Sequence, residues 1–282
     1  MKRMWILWVS AMLIPMSLHA GVFEDMEFGV RAQGMGGAFT AVANNATAIR
    51  FNPAGLSRVD RPELRAQYKD LYGSGIHNGT LDVAYPTRWG TWGVGYQDMG
   101  FSQLSERALT ISHGLALTRD LAFGYNLTGY QIDQGDRLGN AITYGVDAGF
   151  MATIYRRWRL GAFIHNANRP EIESTVKNAH TNDLPQLINV GISYTPLTGV
   201  LTAFDLSKEK GQPVRALVGM EFRVYEDPLL NMRCDVRAGV QTEPNRFSTG
   251  LGFSFSDIQL DYALTNHEKL PLTHQFGFGY QF

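Results

Sequence analysis

Apolar and polar residues alternate with a period of two over most of the chain, from Leu64 to the C-terminal residue. In the last such segment, Leu272 to Phe282, the even positions carry mainly aromatic side chains and the odd positions carry threonine, glutamine and glycine. Strict alternation is typical of β-strands that present one face to an apolar environment. This segment also has the length of about 9–11 residues that a tilted membrane-spanning strand needs.

The same pattern recurs in about fourteen segments, an even number, as bacterial outer-membrane barrels require. The predicted strands lie at 64–71, 78–85, 89–98, 106–117, 120–132, 141–154, 157–167, 187–195, 199–208, 214–225, 231–241, 246–255, 257–265 and 272–282. Short turns follow alternate strands, and longer loops are predicted at 98–105, 133–140, 168–186 and 266–271. One pair of connections breaks this alternation, because 226–230, where a short turn is expected, is longer than 242–245. The pattern predicts an all-β fold, a transmembrane antiparallel β-barrel of about fourteen strands.

A soluble β-sandwich also has alternating strands, so the membrane prediction depends on the character of the two faces. One face is apolar in strand after strand, with aromatic residues near strand ends, for example Tyr85, Trp158 and Tyr262. Such residues form the interfacial girdles of an outer-membrane barrel. The opposite face is predicted to line the lumen, and its charged residues are Asp147, Arg215, Glu221, Arg223, Arg233, Asp235, Arg237 and Asp261. They form either a structural ion network or a polar lining that selects solutes or anchors a plug.

Residues 1–20 have the organisation of a secretory signal peptide. Lys2 and Arg3 supply the positive start, Trp5 to Met16 is the apolar middle, and the residues up to Ala20 offer an imperfect cleavage site. The alternative is a membrane anchor, but the apolar run is too short to span a bilayer. The predicted division is a signal peptide at 1–20, an N-terminal plug or hatch at 21–60 and the barrel at 61–282.

The stretch from Gly29 to Leu56 differs in composition from everything that follows it. Three glycines lie close together, a run rich in alanine and threonine follows, and the stretch ends on a turn sequence, Asn-Pro-Ala-Gly, at 52–55. Small residues allow backbone to pack closely against backbone, so we expect a compact non-strand segment that plugs the barrel. The alternative is a surface loop with a short amphipathic helix. A dinucleotide-binding loop is excluded, since the third glycine and the βαβ unit are missing.

The segment GMGGAFTAVANNATAIRFNPAGL resembles the N-terminal motif of the FadL/PorV superfamily of outer-membrane β-barrels, although Asn44-Asn45 stands where relatives often have aspartates. Later pieces, such as INVGISYTPL, RFSTGLGF and HQFGFGYQF, resemble strands of short PorV/PorQ-type proteins. The resemblance assigns the plug motif to Gly34, Gly36, Gly37, Phe39, Asn52, Pro53 and Gly55. Phe282, a C-terminal phenylalanine on a strand, resembles the signal that the bacterial outer-membrane assembly machinery reads.

The residues that carry chemistry form no recognisable catalytic or metal-binding pattern. No histidine belongs to an H-x-x-x-H or H-E-x-x-H pattern. The single cysteine, Cys234, lies on the apolar face of a strand. The net charge of −1 favours no nucleic-acid partner. We therefore expect no catalytic residues, no metal and no cofactor.

The resemblance implies a non-enzymatic protein of the bacterial outer membrane, of PorV/PorQ type, that supports transport or protein secretion. The first alternative is a FadL-like uptake channel for long-chain fatty acids or other hydrophobic small molecules, and the second is an outer-membrane enzyme. The longest predicted loop, 168–186, is too small and polar to capture a hydrophobic ligand easily. This favours a role in secretion over uptake of hydrophobic molecules. The implied partners are outer-membrane lipid, the assembly machinery, and either secretion-system components or a hydrophobic small molecule.

Overall fold

The computed structural model describes residues 23, 28–101, 104–135, 139–172 and 182–282. Within them, fourteen antiparallel strands form a closed barrel, which confirms the predicted fold class. These strands are β1 (Glu63–Leu71), β2 (Ile76–Thr87), β3 (Gly90–Phe101), β4 (Leu104–Ala116), β5 (Leu121–Asp133), β6 (Asn140–Ile154), β7 (Trp158–His165), β10 (Leu187–Tyr194), β11 (Val200–Glu209), β12 (Val214–Asp227), β13 (Met232–Gln241), β14 (Arg246–Phe255), β15 (Ile258–Thr265) and β16 (Thr273–Gln281). A two-stranded hairpin of β8 (Glu171–Ile172) and β9 (Asn182–Asp183) lies between β7 and β10. The predicted signal peptide lies outside the described residues.

The barrel closes by pairing its first and last strands, with Glu63 opposite Gln281 and Asp70 opposite His274. Closure gives every strand of the barrel a neighbour on both sides. We call the end where β1 begins and β16 finishes the terminal end. The opposite end, which carries the β1–β2 and β15–β16 connections, is the loop end. Among the described residues, no helix has the length and apolar character to cross a membrane.

Two of the predicted connections differ in the structure. The segment 98–105, predicted as a loop, is mostly strand, because β3 and β4 keep pairing as far as Phe101 and Leu104. The predicted excess length of 226–230 over 242–245 is also wrong. A bulge between Arg223 and Tyr225 lengthens β12 as far as Asp227. The connections 228–231 and 242–245 are therefore equal in length.

Burial alternates along the strands, as the sequence pattern predicts. In β5, Leu121, Tyr125 and Leu127 point outward and are exposed, whereas Asn126 and Thr128 point inward and are buried. The same alternation gives the other strands an apolar outer face and a polar inner face. This is the arrangement of a barrel whose outside meets lipid.

Residues 28–59, which we call the luminal segment, lie inside the barrel. The segment forms only short helices, α1 (Val30–Gly34), α2 (Ala48–Phe51) and a 3-10 turn (Pro53–Arg58). Nearly all of it is buried, with Asn44 the exposed exception. Its apolar side chains and inward side chains of the wall make one hydrophobic cluster, which contains Ala32, Met35, Ala38, Phe39, Val42, Ala43, Ala46, Ala48, Ile49, Phe51, Ala54, Leu56, Val59, Ala84, Ala122, Met151, Ala203 and Leu217. The luminal segment thus supplies most of the apolar core.

The outward register of β16 can be tested at Phe278, which lies mid-strand with an exposed ring. An arginine on the lipid face near the bilayer midplane costs about 2–4 kcal/mol. We expect Phe278→Arg to lower the free energy of unfolding by that amount, measured by urea titration in lipid vesicles. Leu229→Arg is the matched control, because Leu229 is 96% exposed in a turn. Equal losses in the two variants would contradict the register.

Candidate functional site, the occupied lumen

The luminal segment contacts the wall through backbone as well as through side chains. A Cβ added at Gly239 would collide with the backbone of Gly36, and one added at Gly161 would collide with the carbonyl of Thr40. Gly36 itself has a φ of +67° and lies against the backbone of Val240. Glycine is therefore required on both sides of the contact, by close approach in the wall and by conformation in the segment.

The Asn-Pro-Ala-Gly turn ties the luminal segment to β6 and to itself. The Asn52 amide donates to the Thr40 carbonyl at 2.9 Å and to the Phe150 carbonyl at 3.0 Å. Its side-chain oxygen accepts from the Ala54 backbone N–H at 3.2 Å. A Cβ at Gly55 would collide with the Ala43 carbonyl. The turn residues therefore hold the segment against the wall and fold it back on itself.

The other predicted plug residues occupy the same contact zone. Phe39 is fully buried and meets Phe51 edge-on, with ring centroids 5.3 Å apart. Pro53 packs against Gly149 of β6. A Cβ at Gly34 would approach Gly250, and one at Gly37 would approach Leu217.

A chain of alternating charges joins the luminal segment to the wall. We call it the ionic chain, and its members in order are Arg31, Glu221, Arg237, Asp261, Arg65 and Glu63. Arg31 donates two hydrogen bonds of 2.7 Å to Glu221. Glu221 also accepts from Arg237 at 2.7 Å, and Arg237 donates to Asp261 at 2.6 Å. Every charge in it has an opposite partner, as buried charges require.

The electrostatics of Arg31 follow from its position within this chain. Burial alone would lower the pKa of the Arg31 guanidinium, but the charge of Glu221 and its hydrogen bonds oppose that effect. The net result is a pKa above the ordinary value for arginine. Arg31 is therefore charged at all physiological pH values, so the contact between segment and wall is permanently ionic.

Further polar contacts hold the middle of the luminal segment. Asp205 accepts hydrogen bonds of 2.8 Å from the backbone N–H groups of both Phe39 and Thr40. Arg50 forms a buried ion pair of 2.8 Å with Asp82. Asp205, Asp82 and Arg50 are not among the site residues predicted from the sequence. The period-two pattern that found the other inward charges could have found the two aspartates, since both lie on the buried face of their strands.

The eight charged residues predicted for the lumen all lie on the inner face of the wall or at its margin. Asp147, Asp235, Arg237 and Asp261 are buried. Glu221 belongs to the ionic chain. The partly exposed arginines occupy more peripheral positions: Arg223 and Arg233 lie 3.6 and 2.8 Å from Asp235, and Arg215 donates to Ser207. Phe282, predicted as an assembly signal, is 62% exposed at the terminal end.

An aspartate–histidine cluster lies in the lumen and bears on the enzyme alternative. His165 contacts Asp147 at 3.0 Å through Nδ1 and the Tyr130 hydroxyl at 3.2 Å through Nε2. All three side chains are buried, and the cavity beside them measures about 20 Å³. A space of that size holds about one water molecule. A substrate has no room beside this cluster, whose side chains are joined to one another by polar contacts.

Larger cavities lie outside the packed core, and two of them exceed 600 Å³. The first, which we call the vestibule, measures about 640 Å³, opens at the loop end and reaches Gln33 of α1. The second, the outer hollow, measures about 690 Å³ and lies on the outward face between β1 and β12–β16. Apolar side chains such as Tyr68, Leu251 and Phe276 line the outer hollow. The vestibule does not cross the lumen, because the luminal segment stands between it and the terminal end.

The same fold is found in solved outer-membrane channels. A mutant of the monoaromatic hydrocarbon channel TodX superimposes with a TM-score of 0.74 at 11% identity, covering 92% of this chain and all of that one. The toluene transporter TbuX of Ralstonia pickettii gives 0.68 at 12% identity, covering 93% and 100%. A FadL homologue of Pseudomonas aeruginosa gives 0.60 at 13% identity, covering 90% and 98%.

No protein-family model and no curated protein matches the sequence. At 11–13% identity, the structural likeness establishes the architecture alone. That architecture is the closed fourteen-stranded antiparallel barrel of the FadL type.

The close contact between wall and luminal segment can be tested with a minimal substitution. Gly239→Ala should sharply reduce the folded, heat-modifiable form, because its methyl group would overlap the backbone of Gly36. Gly129→Ala on β5 is the control, since a Cβ there meets nothing within 4 Å. Gel mobility of the unheated protein measures both. Normal folding of Gly239→Ala would show that the segment does not lie against β13.

Proposed function

We propose that the protein is an outer-membrane channel for small molecules with a hydrophobic body, and that the conformation described above is its closed form. The observation that carries this proposal is the likeness of nearly the whole chain to barrels described as a monoaromatic hydrocarbon channel and a toluene transporter. The continuous apolar outer face supports a location in the outer membrane. The occupied lumen supports a closed state.

The part of the luminal segment best placed to open a path is α1. It forms the inner boundary of the vestibule at Gln33 and packs on β13–β16. Its strongest tie to the wall is the Arg31–Glu221 ion pair. By contrast, the 3-10 turn packs deep against β3–β6. A shift of α1 would extend the vestibule inward without removing the whole core.

The outer hollow supports the choice of hydrophobic solutes. Gly277 forms part of its floor, and Val30 of α1 packs against the inner side of the same glycine. The wall at this point therefore has α1 on one face and an apolar depression on the other. A hydrophobic molecule that leaves the lumen beside α1 would reach the outer hollow after crossing a single layer of strands.

Secretion support, which the sequence resemblance favours, has no counterpart among the similar structures described above. Those structures are channels for hydrophobic molecules, and the uptake alternative fits them better. The barrel also resembles transport proteins rather than enzymes, in agreement with the buried state of the Asp147–His165 cluster.

The proposal predicts uptake that depends on the Arg31–Glu221 pair. Bacterial cells lacking such channels would express the wild type or Arg31→Gln, and initial uptake of radiolabelled toluene and benzoate would be measured. Wild-type protein should raise uptake of at least one probe above that of cells with an empty vector. Arg31→Gln should raise it further by about fivefold, the effect of shifting a two-state equilibrium by about 1 kcal/mol.

The matched control is Arg61→Gln, which removes an exposed ion pair with Asp257 at the terminal end. This variant should take up both probes at the wild-type rate. Uptake at the empty-vector level by both the wild type and Arg31→Gln, with folded barrels present in the membrane, would overturn the channel proposal. Co-purification of a secreted protein in that case would favour secretion support.

A further inference from the structure

The vestibule has an apolar side and a polar side. Leu71, Ile76 and Met99, from β1, β2 and β3, line the apolar side. The rest of the lining is largely polar and includes Arg246 of β14 and Gln275 of β16, together with both positive and negative charges at Lys69, Arg215, Glu209 and Glu243. The volume of about 640 Å³ lies within the range of sites that bind small ligands, about 300–1,000 Å³. The cavity therefore has the form of an amphipathic binding site.

Arg246 lacks the carboxylate partner that several arginines of the lumen have. Arg50, Arg65 and Arg237 each pair with buried acidic residues. Within the described part of the chain, Arg246 forms no ion pair, and its buried Nε has no hydrogen-bond partner. A guanidinium in this state is suited to a carboxylate, which accepts its N–H groups in a charge-assisted hydrogen bond.

Gln275, which also lines the vestibule, has an unmatched acceptor. The residue is 2% exposed, and its amide nitrogen donates to the Thr265 hydroxyl at 3.0 Å. Its carbonyl oxygen has no hydrogen-bond partner among the described residues. Buried amide oxygens are almost always paired. The missing partner is a donor, such as the hydroxyl of a bound molecule.

We propose that the vestibule binds a small aromatic hydroxy acid. The ring lies on Leu71, Ile76 and Met99, the carboxylate accepts from Arg246, and the hydroxyl donates to Gln275. This inference rests on the proposed function, for which it names the substrate class. A bare hydrocarbon would leave both polar groups unpaired, and a site built around such groups discriminates strongly against ligands that lack the matching atoms.

The test is calorimetric titration of the purified full chain in detergent with three ligands that separate the two contacts. These are 4-hydroxybenzoate, benzoate, which lacks the hydroxyl, and phenol, which lacks the carboxylate. We expect 4-hydroxybenzoate to bind most tightly and each of the others about tenfold more weakly, the loss of about one hydrogen bond. This comparison needs no variant. Equal affinities for the three, or no saturable binding of 4-hydroxybenzoate, would overturn the proposal.

Variants assign each preference to one residue. Arg246→Leu should bind 4-hydroxybenzoate no better than phenol, and Gln275→Leu should bind it no better than benzoate. Lys210→Gln is the control for general charge at the loop end, because Lys210 is an exposed residue outside the vestibule lining, and it should bind as the wild type does. If Arg246→Leu does not fold, Arg246→Gln carries the same prediction. Wild-type selectivity in both cavity variants would contradict the assignment.

Failure of this inference is distinguishable from failure of the channel proposal. Uptake of toluene or benzoate without selective binding of 4-hydroxybenzoate would leave the channel intact and remove the vestibule site. Selective binding of 4-hydroxybenzoate, with no uptake of that ligand or of either probe by the same cells, would leave the site intact and remove the channel.

Discussion

The close approach of the luminal segment to the barrel wall is the contact on which the rest of the structure depends. Eight strands enclose a space that inward side chains fill, whereas wider barrels enclose a cavity or a channel. A barrel of fourteen strands therefore needs additional chain inside it to form a dry core. The luminal segment fits because glycines such as Gly239 and Gly161 let the two backbones meet directly. The core of this protein is therefore a piece of chain inserted into the barrel. The stretch from Gly29 to Leu56 is rich in small residues because it must fit there.

Buried charge makes the insertion specific. Hydrophobic contacts alone would tolerate several positions of a small-residue segment, but each buried charge must find its partner. Arg31 reaches Glu221, Arg50 reaches Asp82, and Asp205 accepts two backbone N–H groups of the segment. These contacts fix both ends and the middle of the segment. The packing of the luminal segment stops at α1, so the vestibule beyond it stays open. Arg246 and Gln275, which line the vestibule, have unpaired polar atoms.

The sequence predicts the barrel well because the alternation of faces is local information. All fourteen strands could be placed to within a few residues, and the inward charges follow from the same period. Partners far apart in sequence could not be found in this way. Arg31 and Glu221 are 190 residues apart, and no local pattern relates them. The loop predicted at 98–105 was wrong because strand pairing across β3 and β4 continues beyond the point where the alternation weakens.

The function was harder to predict from the sequence than the fold, for a different reason. The N-terminal motif and short loops favour the PorV/PorQ branch, whereas the whole fold resembles hydrocarbon channels. The N-terminal motif packs in the core, so it indicates how the inside of the barrel is filled. It carries no information about the molecule that the barrel transports. The substrate depends instead on cavities such as the vestibule, whose residues come from strands at opposite ends of the chain. That juxtaposition exists only after the barrel has closed.

In this structure the luminal segment is the core of the barrel rather than a removable stopper. The decisive experiment is expression of a chain without residues 29–56, followed by gel mobility and circular dichroism of the membrane fraction. We expect loss of the folded, heat-modifiable form, because the deletion removes most of the hydrophobic cluster and leaves Glu221, Asp82 and Asp205 without their partners in the segment. A stable, β-rich barrel lacking the segment, whether permeable or sealed, would contradict it.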